Sequence, residues 1–166
     1  MKYVLMFFTF LSVCTTAELL QIPLTLDTTR TVTIPAGGTD VEETITVKPS
    51  DDPDFQKYLD KIKGYTIESV SLSADKAIVV PGLLELPNKA IAFITVEFPA
   101  NNISTTRVEL LNDGKDINLG LNGDQLARMA ESIQKNGSMQ MKVYAFTSSF
   151  YGKFDLKVKI NLKIKV

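Results

Sequence analysis

The chain has 166 residues, 18 basic and 19 acidic, for a formal net charge of −1 at pH 7, so it offers no cationic excess to meet nucleic-acid phosphates. Histidine and tryptophan are absent and Cys14 is the single cysteine. That excludes Ser-His-Asp and Cys-His catalysis, imidazole acid–base work, ordinary zinc sites and an internal disulfide.

Met1-Lys2 is followed by an uncharged apolar run from Tyr3 to Val13. The run is shorter than the roughly 20 residues that span a bilayer, and fits the core of a cleaved signal peptide. Residues 1–13 are therefore expected to be a signal peptide. Leu11-Ser12-Val13-Cys14 resembles a bacterial lipobox, with Cys14 as the lipidated first residue of the mature protein, although Val13 stands where a small residue is usual. Thr15-Thr16-Ala17 offers a second route, ordinary cleavage before Glu18. Acyl chains on Cys14 would hold a water-soluble domain at a membrane, at roughly 0.8 kcal/mol per buried CH₂.

Residues 14–21 read as a tether and 22–166 as one domain. Residues 22–26 and 31–34 are strand-like, separated by the turn-like Asp27-Thr28-Thr29. Pro35-Ala36-Gly37-Gly38 is a turn, and Thr44 to Lys48 alternates as a half-buried strand does. Asp52 as N-cap, Pro53 at the first helical position and an apolar stripe at Phe55, Tyr58, Leu59 and Ile62 predict a helix over about 51–63. Tyr65 to Ser73 is a strand with a break at Glu68-Ser69 expected to be a bulge. Ala77 to Val80 reads as another short strand, Leu83, Leu84 and Leu86 as core or packed loop, and Ala92 to Phe98 as a strand ending at Pro99. Arg107–Leu111 and Asp116–Leu121 predict a hairpin through Asn112-Asp113-Gly114-Lys115. A second helix is expected over about 123–135, with Leu126, Met129, Ala130 and Ile133 on its apolar face. Met129, Met139 and Met141 read as core.

From Lys153 to Val166 every even position is apolar and every odd one polar, which only a strand explains. At about 3.3 Å per residue it would reach roughly 45 Å, so a bend or bulge is expected in it. Met139–Phe146 is expected to pair with it as a hairpin. Its lysines are expected to keep the strand soluble and discourage edge-to-edge pairing. Asp40, Glu42, Glu43, Asp51, Asp52, Asp54 and Asp60 make residues 40–60 acidic, whereas Lys142, Lys153, Lys157, Lys159, Lys163 and Lys165 make the C-terminus basic. Such stripes favour neighbouring strands in one sheet. The element order has no βα repeats. It predicts a mainly β, antiparallel, immunoglobulin-like β-sandwich in which each helix carries the chain from one sheet to the other.

The short leader ending at Cys14, the Ile22-Pro23 start, the Ser50-Asp51-Asp52 turn and Tyr58-Leu59-Asp60-Lys61-Ile62 resemble small exported proteins and lipoproteins of Bacteroidota. That resemblance covers the N-terminal half best. It implies an outer-membrane-anchored protein, periplasmic or surface-exposed. Surface export in that group is linked to acidic residues just after the cysteine, and Thr15-Thr16-Ala17-Glu18 departs from this. Asp27-Thr28-Thr29 is similar to the group's O-glycosylation site, which would place a glycan on Thr28; a strand-end turn also explains it.

These features call for no metal, cofactor or catalytic residue. Paired carboxylates are the remaining route to catalysis, and the acids here cluster in a capping turn and on strand faces. The expectation is a non-enzymatic envelope protein, lipid-anchored and binding another envelope protein. A glycan-binding module is the alternative, with Tyr144, Phe150 and Tyr151, beside Phe146, as candidate ligand contacts.

Overall fold

The computed structural model describes residues 20–35, 40–79, 90–111, 113–146 and 152–166, apart from the side chains of 76–79, 90 and 91. The strands are β1 (Gln21–Ile34), β2 (Val41–Val47), β3 (Gly64–Val79), β4 (Ala90–Phe98), β5 (Ile103–Ser104), β6 (Val108–Leu111), β7 (Ile117–Asn118), β8 (Met139–Phe146) and β9 (Gly152–Lys165), with helices α1 (Pro53–Gln56) and α2 (Gly123–Asn136). They form an antiparallel β-sandwich. The first sheet runs β1-β9-β3-β7, and the second β2-β8-β4-β5 with β6 also beside β4.

The core follows from the period-two pattern. Phe154, Leu156, Val158, Ile160, Leu162 and Ile164 of β9 are all at most 1% exposed, facing Ile94, Val96, Met141 and Val143 of the second sheet within one apolar cluster. Burying each such side chain contributes roughly 1.5–3 kcal/mol. α2 closes one end. Asn122 and Gln125 form a reciprocal capping box, Met129, Ala130 and Ile133 are buried, and Gly137 ends the helix at φ 67°, where glycine has no Cβ to clash. As expected, α2 takes the chain from β7 in one sheet to β8 in the other, and residues 48–63 do the same between β2 and β3.

Several expectations are corrected. β9 is not an edge strand. It lies between β1 and β3, and its lysines stand on the solvent face of a sheet interior. They pair with acids of the flanking chain: Lys157 with Asp27 (3.2 Å), Lys163 with Glu68 (2.5 Å) and Lys159 with Asp116. Of the acidic 40–60 stretch, Glu42 alone meets a C-terminal lysine across strands, Lys142 at 2.6 Å in the second sheet. β9 itself is unbroken. The irregularities fall on β3, at the expected Ile67/Ser69 position and again between Asp75 and Ile78. β3 continues through the stretch read as a separate strand at 77–80, and its last described strand residue is Val79.

Neither predicted hairpin forms. β8 pairs with β2 and β4, and β6 pairs with β4 while β7 pairs with β3. A short connection can cross the ~10 Å between sheets as readily as it can reverse within one, so turn residues alone do not separate the two cases. The helix expected at 51–63 is a chain of single turns: 3₁₀ at Pro49–Asp51, α1, then 3₁₀ at Leu59–Lys61. Asp52 caps α1 as expected, accepting from the Asp54 and Phe55 amides at 2.8 and 3.0 Å. Phe55 is fully buried and stacks on Tyr65, ring centroids 5.7 Å apart, but Leu59 is 42% exposed. Anchoring Phe55 outweighs a continuous helix, because so short a segment gains little from helix propagation.

The tether ends sooner than expected. Val166 N–H donates to Leu20 O, and Gln21 already belongs to β1. The two segments separated at 27–30 are one strand, paired with β9 from Gln21↔Lys165 to Ile34↔Gly152. Leu83, Leu84 and Leu86 lie outside the described residues.

Candidate binding face

Alternation in β4 and β8 decides which side chains leave the core. In β4, Ala92, Ile94, Val96 and Phe98 point inward, which sends Phe93, Thr95 and Glu97 outward. In β8, Met139, Met141, Val143 and Ala145 are buried, which sends Gln140, Lys142, Tyr144 and Phe146 outward. The antiparallel register then sets Phe93 opposite Phe146, Thr95 opposite Tyr144 and Glu97 opposite Lys142.

Two aromatic rings therefore stand side by side on the solvent face of the second sheet, and Phe93 is 37% exposed. Arg107, just before β6, lays its guanidinium over them, with its central carbon 4.1 Å from the Phe93 ring centroid and 5.7 Å from that of Phe146. Next along β8, the Tyr144 hydroxyl donates to Glu97 Oε2 at 3.2 Å. Desolvation by its neighbours, and then this hydrogen bond, hold the Tyr144 hydroxyl above the ordinary tyrosine pKa. Lys142 is held above the usual lysine value, first by its hydrogen bond to Glu42 and then by that carboxylate's charge. The face is an apolar floor under a stacked cation, bordered by fixed polar groups. It can grip a planar or anionic group and bury an apolar one.

Of the residues expected from the sequence, Tyr144 lies on this face, whereas Phe150, Tyr151 and Cys14 fall outside the described residues. Thr28 is half-buried in the middle of β1, opposite Val158, rather than in a turn at a strand end. Phe93 and Arg107 were missed. Phe93 was legible as the one aromatic at outward parity in β4, but Arg107 reaches it only through the β4–β6 pairing.

Two grooves flank α2. One of about 350 Å³ is lined by Tyr65, Ile67, Leu126, Ala127 and Ala130; the other, about 310 Å³, by Asn101, Arg128, Ser132 and Lys135. Each carries a single carboxylate, that of Glu131, so neither sets two acids against one another. Among the described residues no three His, Cys, Asp or Glu side chains gather to hold a metal, and no helix is long and apolar enough to cross a membrane.

No family model and no curated protein matches the chain. Among solved structures, a chain of Desmodium yellow mottle tymovirus aligns over 99% of this chain and 96% of its own, at 11% identity and a TM-score of 0.36. A likeness that slight bears on neither function nor ancestry.

Proposed function

We propose that the protein is a non-enzymatic binding protein of the cell envelope, exported by its N-terminal leader, anchored through Cys14, and docking another envelope protein on the outer face of its second sheet. The observation that carries this reading is the outward-facing pair of exposed Phe93 and half-buried Phe146 with Arg107 lying over it. Aromatic side chains and arginine are enriched at protein interfaces and dominate their energetics. Leaving a phenyl ring in water forgoes roughly 25 cal/mol per Å², whereas a threonine would suit this solvent face without that loss.

A photo-crosslinking amino acid at Thr95, beside Tyr144 on this face, tests the reading in intact cells. It is expected to capture one discrete envelope protein, while the same probe at Thr29, on the outer face of the first sheet, captures none. Absence of a Thr95 product, or equal products from both sites, overturns the reading. Mass spectrometry of the mature N-terminus tests the anchor: a lipidated Cys14 is expected, and a free Glu18 refutes it.

A further inference from the structure

Arg107 differs from the other charged groups around it. Lys142 is engaged by Glu42 and Glu97 accepts from Tyr144, but no described carboxylate lies within ion-pair distance of Arg107. Its guanidinium carbon lies over the Phe93 ring, 4.1 Å from the centroid, and the residue is exposed, so its N–H fork is open to solvent. A planar guanidinium with several fixed donors matches a carboxylate bidentately, and one already immobilised by stacking loses less freedom when it binds. Glu109, exposed on β6 opposite Phe93, also lacks an ion pair among the described residues. It lies two residues from Arg107, about 7 Å along the strand. Among the described residues the face thus presents an unpaired cation and an unpaired anion flanking a phenyl floor.

We propose that this face recognises a protein segment carrying both charges: an Asp or Glu clamped by Arg107, an apolar side chain seated on the part of the Phe93–Phe146 pair that the guanidinium leaves uncovered, and a basic residue answering Glu109. The inference rests on the docking reading above and names the partner's chemistry. Charge complementarity favours such a segment over a sugar. A pyranose would need the Phe93 ring face that the guanidinium covers, and the Tyr144 hydroxyl is already committed to Glu97. A carboxylate uses the stacked guanidinium without displacing it.

The test is an array of synthetic peptides carrying Glu-Leu-Lys-type triplets in extended and helical spacings, each with a twin in which the acid is replaced by its amide. The probe is the mature full-length chain. The acidic peptides are expected to bind, their amide twins at least tenfold less, and 0.5 M salt to weaken binding. Arg107→Gln is expected to lose tenfold or more and Arg107→Lys to recover only part, with circular dichroism confirming that both fold. Failure of every peptide, equal binding by the twins, or unchanged binding by Arg107→Gln overturns the proposal. So does Arg107-dependent binding of oligogalacturonate in place of peptides. If the Thr95 crosslink survives in Arg107→Gln, docking stands and this inference fails; if wild type gives no Thr95 crosslink, the docking reading itself has failed.

Discussion

Glu68 meets Lys163 at 2.5 Å from the residue that β3 inserts at its first bulge, between Ile67 (opposite Leu162) and Ser69 (opposite Asn161). The extra residue lets β3 keep Ile67 and Val70 in the core on either side of the break. Deleting Glu68 would slip residues 64–67 by one position and turn Tyr65 and Ile67 toward the other face. The expected loss is about 3 kcal/mol or more in urea denaturation, since two large side chains leave the core. Glu68→Ala keeps the bulge and removes one exposed ion pair, so its loss should stay at about 0–1 kcal/mol. Equal effects of the two changes would contradict this account.

The pH dependence of stability should be a broad plateau with two shoulders. Asp113 is held below the ordinary carboxylate pKa chiefly by the Lys115 amide, and Asp116 chiefly by its hydrogen bond from Lys159. Their contribution is present above about pH 4 and is lost as pH falls through the depressed native values. Lys57, Lys142 and Lys159 are raised, chiefly by hydrogen bonds to Asp54, Glu42 and Asp116, and burial raises Tyr65. Their contribution is present below about pH 10 and is lost as pH rises through the raised native values. The chain has no histidine, so Tm should be flat between about pH 5 and 9. Because the ion pairs are exposed, 0.5 M salt should shrink both shoulders. A steep change in Tm near pH 6.5 would refute this.

Arg30 shares the inward parity of Leu26, Val32 and Ile34, yet is exposed. β1 is the long edge of the first sheet, with β9 as its strand partner among the described residues. An inward-facing charge on an edge strand discourages pairing with another sheet. Arg30→Val is expected to promote concentration-dependent association in sedimentation velocity, and Arg30→Lys to leave it unchanged. Identical behaviour of the two variants would remove this role from Arg30.

Folding should be slow for the chain's size. β1 is zipped to β9 along its whole length, from Gln21↔Lys165 to Ile34↔Gly152, so the first sheet waits for the two ends to meet. Sandwiches dominated by such pairings fold in about milliseconds to seconds. Stopped-flow refolding should fall in that range. A chain ending at residue 151 should remain unfolded by circular dichroism, because β1 and β3 would lose the strand between them.

What was legible followed from local rules. Period two in β4 and β9, the Asp52 cap, the apolar face of the second helix and the Glu68 bulge each depend on neighbours a few residues away. The helix at 51–63 misled because its apolar spacing was right while Leu59 stays 42% exposed instead of joining Phe55 in the core. On the candidate face, Tyr144 could be found from aromatic density in the sequence, but Arg107 could not, since Ile94↔Val108 is what carries it to the rings.

The residues by themselves determined that the described chain is mainly β, which face of each long strand is buried, and that it carries no histidine or tryptophan chemistry. Alternating polarity and turn chemistry act within single segments, so one chain contains all they need. Only the tertiary structure decided that β9 is central, that adjacent strands cross between sheets instead of forming hairpins, and that Phe93, Phe146 and Arg107 share one surface. A strand's hydrogen-bonding edges are backbone, the same for every side chain, so the choice of partner is settled by how the whole set of apolar faces closes on itself.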